Sequence, residues 1–190
     1  AFDAIFQAME GVSATMVDQP AAARLMNPDG MRGFDALLLY DMPGLDFAHA
    51  TDRPGIVSPP PELKAGLRAL LEQGTGVVAL HHALAGWPDW PDYADWLGGR
   101  FLYTPAEVRG RPCPDSGYAH DIAYDAINVA PDHPVMAGIP ARLPMRDELY
   151  LAQIAMLIAG TLGAFGGNSS GAVEAVVAKY LHVLADLPAW

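Results

Sequence analysis

The sequence predicts an α/β fold with a mostly parallel sheet, and two apolar strands joined through a helix carry that prediction. Residues 36–40 and 76–80 are short runs of consecutive apolar residues, which are typical of strands buried on both faces. Between them, leucines recur at helical spacing from Leu63 to Leu71. The order of strand, helix and strand is the signature of a parallel βαβ unit.

Three further features are predicted in the N-terminal half. Apolar residues at helical spacing predict a helix that begins at Phe2 and ends at Gly11. Residues 14–17 form a short β-prone segment. The helix between the two strands is predicted to begin near Ser58, whose hydroxyl is available as a cap, and to end at Gly74.

The C-terminal half is predicted to combine a loop-rich region with two helices. Residues 92–97 resemble a short helix that ends at a pair of glycines. Residues 101–127 are expected to be mostly loops with short strands. Apolar residues at helical spacing predict a final helix over residues 173–184. With no internal repeat, residues 1–190 are expected to form a single domain.

The composition excludes several classes of function. A formal net charge of -11 argues against a nucleic-acid partner, because phosphate binding needs clustered lysine and arginine. The same charge suits a cytoplasmic protein that acts on a small neutral substrate. No apolar run is long enough to span a bilayer, so we expect no membrane partner. Cys113 is the one cysteine, which rules out a disulfide within the chain and a cysteine-based zinc site.

His81 and His82 directly follow the second predicted strand. Ligands of open α/β sheets bind at the carboxyl ends of the strands, so this position predicts a reaction centre. One of the two imidazoles would act as a general acid or base, or as a metal ligand. The alternative is that one ring packs into the core and bonds a backbone carbonyl.

Two polar segments farther along the chain could join these histidines. His120 and Asp121, with His81 or His82 and with Glu148, offer the nitrogen and oxygen donors of a Zn²⁺ or Mn²⁺ site. No short spacing between histidines indicates a metal, so such a site depends on the fold, and no other cofactor is expected. Glu148 is predicted to be a catalytic carboxylate; the alternative is a surface ion pair with Arg146.

Four sequence blocks in order resemble the ThuA-like, or trehalose utilisation, family. The resemblance runs over about residues 34–151, and its blocks are Phe34–Gly44, Gly74–Ala83 with Trp87, Tyr93–Gly99, and His133–Gly138 followed by Asp147–Tyr150. It implies a flavodoxin-like three-layer α/β sandwich related to class I glutamine amidotransferases. Their nucleophilic cysteine is missing, since His81 and His82 occupy the strand end, so amide transfer is not expected. His133 is interpreted as part of a structural turn.

The resemblance implies carbohydrate catabolism on a disaccharide or its 3-keto derivative, supplied by a partner sugar dehydrogenase. His81, His82 and Glu148 would then perform acid–base catalysis leading to isomerisation or glycosidic cleavage. The residues expected to contact the sugar are Asp41, Trp87, Tyr118 and Tyr150. Asp41 could instead cap a turn. Two other classes stay open, a metal-dependent hydrolase and a non-catalytic sugar-binding or interaction module.

The chain departs from the family pattern at both ends. The family's usual first strand is absent before Phe2, and residues 152–172 do not match; both truncation and divergence remain open. A sheet without its first strand exposes an edge, and exposed edges tend to pair. A homodimer is therefore expected.

Overall fold

The computed structural model describes residues 2–49, 53–108, 110–151, 153–154, 175–177 and 181–183. They form a mixed α/β structure. The α-helices are α1 (Phe2–Gln7), α2 (Ala21–Leu25), α3 (Pro61–Glu72) and α4 (Pro91–Leu97), and two 3-10 turns lie at His81–Ala85 and Pro134–Met136. None of these helices has the length and apolar character needed to cross a membrane.

The strands are short in the first half of the chain and longer in the second. They are β1 (Ala36–Leu39), β2 (Leu45–Asp46), β3 (Gly55–Ile56), β4 (Gly76–Ala79), β5 (Gly99–Arg100), β6 (Ala106–Val108), β7 (Arg111–Cys113), β8 (Gly117–Asn128), β9 (Arg142–Leu151), β10 (Gln153–Ile154), β11 (Ala175–Val177) and β12 (Leu181–Val183).

A small parallel sheet confirms the predicted βαβ unit. Its strand order is β1-β4-β11, and β1 pairs with β4 in parallel from Ala36 opposite Gly76 to Leu39 opposite Ala79. The Leu80 N–H donates to the Leu39 carbonyl at 2.8 Å, which extends the pairing to the strand ends. The carboxyl ends of β1 and β4 therefore lie side by side.

Helix α3 connects these two strands and buries one face. Its leucines at positions 63, 67 and 70 are buried, as the periodicity predicts. Pro61 begins the helix, where a missing N–H costs nothing, and Gly74 ends it with a φ of 88°. Ser58 is not the cap: the residue before the helix is Pro60, and the Ser58 hydroxyl instead donates to the Asp89 carboxylate.

The main hydrophobic core combines α3 and α4 with β1 and β4. Leu63 and Leu70 are essentially inaccessible to solvent, and Trp90, Tyr93 and Leu97 join them from α4 and the segment before it. Burial of side chains of this size contributes about 1.5–3 kcal/mol each. Trp96 packs edge-on against Trp90, as a covering aromatic should. The predicted helix at residues 92–97 is confirmed within one residue.

A second sheet occupies the region that was expected to be mostly loops. β8 pairs with β9 in antiparallel register over nearly its whole length, and β12 adds to its other side. The expectation was wrong because the alternation of side chains is interrupted by a bulge between Ala119 and Ile122. Asp121 within the bulge has a φ of 58°. A bulge bends a strand and changes the direction of its side chains. The sequence therefore lacks the regular alternation of apolar and polar residues that would predict one long strand.

The predicted final helix is also wrong over the part that can be compared. Residues 175–177 form β11 and residues 181–183 form β12, while the rest of the predicted segment lies outside the described residues. Three of the six strand residues are valine, and β-branched side chains favour strands. The atypical segment at 152–172 also lies almost entirely outside the described residues, which include only 153–154 of it.

The N-terminal side of the sheet is more open than the sequence suggests. Leu39 of β1 is buried, but Leu38 is 39% exposed although the strand reads as uniformly apolar. Among the described residues no strand pairs with the outer edge of β1. The helix predicted at Phe2 is present, and the β-prone residues 14–17 are exposed and outside any strand. Although these residues are largely apolar, they pair with none of the described strands.

Candidate active site

The two adjacent histidines lie where β4 turns abruptly into a 3-10 turn. The strand ends at Ala79, and the turn His81–Ala85 follows after one residue. His81 has a φ of 35°, a left-handed conformation that is uncommon for a residue with a Cβ atom and that recurs at active sites. This sharp turn presents both imidazoles at the carboxyl end of the parallel sheet.

Two tyrosines hold the 3-10 turn from behind. The Tyr93 hydroxyl donates to the Ala83 carbonyl at 3.1 Å, and the Tyr103 hydroxyl donates to the Ala85 carbonyl at 3.0 Å. Burial raises the pKa of Tyr93 above its ordinary value, so the hydroxyl stays protonated and remains a donor. The backbone that carries the histidines is therefore fixed by hydrogen bonds from α4 and from the segment after β5.

Strand β9 supplies the carboxylate. Side chains alternate between the two faces of a strand, and Glu148 and Tyr150 share the face that meets the histidines. The Glu148 Oε2 atom lies 2.9 Å from His81 Nε2 and 4.0 Å from His82 Nε2. We call His81, His82 and Glu148 the His/Glu cluster. It joins residues from the two sheets that are 67 positions apart in sequence.

His120 approaches the same carboxylate from β8. Its Nδ1 atom lies 3.5 Å from Glu148 Oε1, whereas His81 and His82 contact Oε2. The bulge after Ala119 sets this position, because Ala119 pairs with Leu149 and the register then shifts. The His120 side chain is 73% exposed, against 19% for Glu148, so it lies at the rim of the His/Glu cluster.

An aromatic wall surrounds the cluster. The Tyr150 ring lies 4.3 Å from the His81 ring, and the Tyr40 ring lies 5.0 Å from the His82 ring, measured between centroids. Tyr118 lies edge-on to His120 at 5.3 Å and is 58% exposed. The wall therefore presents tyrosine faces and hydroxyls next to the imidazoles.

The charge environment of Glu148 is unusual for a half-buried carboxylate. Within the described part of the chain its ion-pair partners are all histidines. Arg146, the expected alternative partner, instead binds the Asp121 carboxylate through Nε and a terminal nitrogen, the latter at 2.7 Å. Partial burial, reinforced by the charge of His81, lowers the pKa of His82, although Glu148 acts in the opposite sense.

The donor atoms of the His/Glu cluster are close enough to share an ion. One nitrogen from each of His81 and His82 and one oxygen of Glu148 all lie within 4.8 Å of one another. His120 and Asp121, the residues expected to provide further ligands, are not in this group. His120 is placed at the other oxygen, and Asp121 is occupied by Arg146.

Two other residues expected to contact substrate make contacts with residues outside the cluster. The Asp41 carboxylate accepts a hydrogen bond from the Gln19 side chain at 2.8 Å. Trp87 packs partly buried against the main core, and its backbone N–H donates to the Pro43 carbonyl at 2.7 Å. Tyr40, which directly follows β1 and precedes Asp41, was not among the residues expected at the site. Tyr40 could have been considered, because successive side chains at a strand end point to opposite faces. Only one of Tyr40 and Asp41 can therefore face the cleft.

The strain at His81 is testable through stability. A left-handed backbone costs a residue with a Cβ atom about 1–2 kcal/mol, and glycine avoids this cost. We therefore expect His81→Gly to be more stable than His81→Ala by about 1 kcal/mol, although both lack the imidazole. Urea unfolding of the two variants measures the difference. Equal stabilities, or a more stable alanine variant, would contradict the assigned strain.

The tyrosines behind the turn predict a loss of stability at alkaline pH. Burial raises the pKa of Tyr103 to about 12, with a smaller contribution from Tyr150. Its ordinary value is 10.0, so the stabilisation is complete below pH 10.0 and is lost as the pH rises through about 12. Tyr103→Phe should be less stable than wild type at neutral pH, and the gap should narrow above pH 10.0. Urea unfolding at pH 8 and at about pH 11 tests this, and a constant gap would contradict it.

Comparison with known proteins gives one family match. The family model described as ThuA, trehalose utilisation, matches residues 1–158. No curated protein matches the chain. Among solved structures, the chain is similar to the crystal structure of a ThuA-like protein from Parabacteroides merdae ATCC 43184, with 18% identity and a TM-score of 0.47. The match covers 66% of this chain and 46% of the other, so the chain spans about half the length of that protein.

Proposed function

Because the chain belongs to the ThuA, or trehalose utilisation, family, we propose that it is a carbohydrate-catabolic enzyme whose catalytic residues are His81, His82 and Glu148. Its substrate is a disaccharide or the 3-keto derivative of one. The single observation that carries this proposal is the 2.9 Å contact between Glu148 Oε2 and His81 Nε2. A carboxylate that orients an imidazole at a strand end is an established arrangement for acid–base catalysis.

This contact determines which ring nitrogen of His81 carries the hydrogen and which one can act as a base. A carboxylate accepts hydrogen bonds and does not donate them when ionised, so the hydrogen-bond pattern assigns the N–H to Nε2. In the neutral ring Nδ1 then carries the lone pair and acts as the general base. Glu148 holds the ring in this tautomer and stabilises the imidazolium that forms when His81 takes up a proton.

A 3-keto sugar gives this base a suitable proton. The carbonyl acidifies the hydrogen on the carbon between it and the glycosidic carbon. His81 removes that proton, the electron pair moves to the carbonyl oxygen as an enolate, and collapse of the enolate expels the glycosidic oxygen. His82 or another acid protonates this leaving oxygen, and water then adds to the resulting double bond. Without cleavage, return of the proton to the opposite face of that carbon, or protonation of the enediol at the carbon that carried the carbonyl, gives isomerisation instead.

The surroundings favour a neutral sugar. Tyrosine faces stack on the apolar faces of sugar rings, and their hydroxyls bond sugar hydroxyls. Tyr150, Tyr118 and Tyr40 provide these surfaces around the cluster. Arg146 is paired with Asp121, and in the described residues no lysine or arginine pairs with Glu148. Among the described residues, a substrate phosphate would therefore have no lysine or arginine to bind at Glu148.

Membership of the family also leads us to propose a flavodoxin-like three-layer sandwich and a cytoplasmic location. The parallel βαβ unit is the part of the structure that supports the sandwich. The proposal also includes a partner sugar dehydrogenase that oxidises the disaccharide before this enzyme acts. Asp41 and Trp87 are assigned to the margin of the sugar site, where the Asp41 carboxylate would need to release the Gln19 side chain to reach a substrate.

A turnover assay tests the proposal. Protein freed of metal by a chelator is incubated with 3-keto-trehalose, with 3-keto-sucrose and with unoxidised trehalose, and products are followed by chromatography. We expect turnover of a keto sugar by wild type and by His49→Ala, whose imidazole pairs with Asp46 outside the cluster. His81→Ala should lose this turnover. Binding of the sugars without turnover by any of these proteins would favour the rival assignment, a non-catalytic sugar-binding module.

A further inference from the structure

We propose that His81, His82 and Glu148 form a binding site for a divalent transition-metal ion, with Zn²⁺ preferred, and that the bound ion inhibits the enzyme. The inhibitory part rests on the proposed function, whereas the binding part depends only on the arrangement of the three side chains. The cluster thus has two states, one in which a proton lies between imidazole and carboxylate and one in which a metal ion replaces it.

The geometry is close to what such an ion requires. Zinc bonds to nitrogen and oxygen are about 2.0–2.2 Å long, so neighbouring donors of a tetrahedral ion lie about 3.3 Å apart. The distances from Glu148 Oε2 to the two histidine nitrogens, 2.9 and 4.0 Å, lie on either side of that value. All three donors lie within 4.8 Å of one another. A side-chain movement of under about 1 Å would therefore complete three bonds.

The charge of the cluster also favours a cation. A carboxylate that is partly removed from water needs a compensating positive charge or several hydrogen bonds. Glu148 is 19% exposed, and its ion-pair partners in the described residues are imidazoles. The chain as a whole carries a formal charge of -11, which attracts cations to its surface.

The donor set selects the kind of ion. Two imidazole nitrogens and one carboxylate oxygen suit Zn²⁺, while Mg²⁺ prefers oxygen donors and retains its water. Affinity for a given nitrogen–oxygen site rises from Mn²⁺ to Zn²⁺, so Zn²⁺ should bind more tightly than Mn²⁺. His120 faces the other oxygen of Glu148 at the exposed rim and is not one of the three ligands.

Inhibition follows from the position of the bound nitrogen. In a histidine coordinated through Nε2, the hydrogen of the ring lies on Nδ1. His81 would then have no lone pair with which to accept a proton from the sugar. The metal would also occupy the Glu148 oxygen that orients His81. Metal binding and acid–base catalysis are thus mutually exclusive at these atoms.

Calorimetric titration with ZnCl₂ and with MgCl₂ tests the binding site independently of activity. For chelator-treated wild type we expect one zinc ion per chain and no magnesium binding. His82→Ala should weaken zinc binding by at least about 10-fold, while His49→Ala and His120→Ala should bind as wild type does. Near-UV circular dichroism checks that His82→Ala is folded, and Glu148→Gln, which should also weaken binding, provides a second variant. In parallel, zinc should suppress keto-sugar turnover by wild type, and a chelator should restore it.

The outcomes separate this inference from the proposed function. Absence of zinc binding to wild type, or zinc affinity in His82→Ala and Glu148→Gln equal to that of wild type, would overturn the metal site. Metal-free turnover would then remain as the measure of the proposed function. Turnover that requires zinc would overturn both the inhibition and the metal-free mechanism. If wild type binds zinc but turns over no keto sugar, either with zinc or without it, both the inhibition and the proposed function would be overturned.

Discussion

Glu148→Gln should lower kcat/KM for a 3-keto sugar by about 10²–10⁴-fold, the range expected when general-base catalysis is lost. Glutamine has nearly the same shape as glutamate, but it carries no charge to stabilise the imidazolium of His81. Its amide can also donate to Nε2, which would reverse the tautomer and remove the lone pair from Nδ1. Steady-state kinetics on metal-free protein measure the effect.

Asp147→Asn is the matched control for this prediction. Asp147 precedes Glu148 on β9 and is exposed on the opposite face of the strand. Its Oδ1 atom accepts the Glu148 N–H at 2.8 Å, a bond that asparagine can preserve. The control removes the same charge one residue away and should change kcat/KM by less than about 3-fold, since an exposed charge is largely screened by solvent. Equal losses in the two variants would contradict a specific role for Glu148.

Leu70→Ala should lower the free energy of unfolding by about 2–5 kcal/mol. Leu70 is completely inaccessible to solvent and belongs to the core between α3, α4 and the parallel sheet. Truncation removes apolar contacts and leaves a cavity that the surrounding side chains cannot fill. Because native proteins are stable by only about 5–15 kcal/mol, this single change would consume a large share of the total. Urea unfolding followed by circular dichroism measures it.

Leu38→Ala gives the comparison for the core prediction. Leu38→Ala removes the same atoms from a side chain on β1, but the Leu38 side chain is 39% exposed. The variant should therefore lose clearly less stability than Leu70→Ala. A Leu38→Ala variant as unstable as Leu70→Ala would show that the outward face of β1 is covered in solution, for example by a second copy of the chain, as a homodimer through this sheet edge would require.

The fold could be predicted where hydrophobic periodicity was simple. The leucine spacing in α3 and the apolar runs of β1 and β4 identify a parallel βαβ unit, because few other arrangements bury them. The long strand β8 escaped prediction because the bulge at Asp121 breaks its alternation. Residues 175–177 and 181–183 were assigned to a helix because valines at helical spacing also satisfy a strand, and tertiary pairing with β4 and β8 decides between them.

Individual residues of the candidate site could be predicted from the sequence, but their arrangement in space could not. His81 and His82 follow a strand whose carboxyl end lies where open α/β sheets generally bind ligands. Glu148 was selected for its polar surroundings. Nothing local to the sequence indicates that β9 brings Glu148 between three imidazoles, since this depends on pairing between distant strands. For the same reason Asp121 was expected near the histidines, whereas its left-handed backbone and its pairing with Arg146 direct it elsewhere.

The central claim is that His81, oriented by Glu148, removes a proton beside the carbonyl of a keto sugar. Its most direct test is proton nuclear magnetic resonance of metal-free protein with 3-keto-trehalose in D₂O. The claim predicts that wild type incorporates deuterium at the carbon between the carbonyl and the glycosidic carbon faster than buffer does, and that His81→Ala does not. Equal incorporation by His81→Ala and wild type, or none above buffer in either, would contradict it.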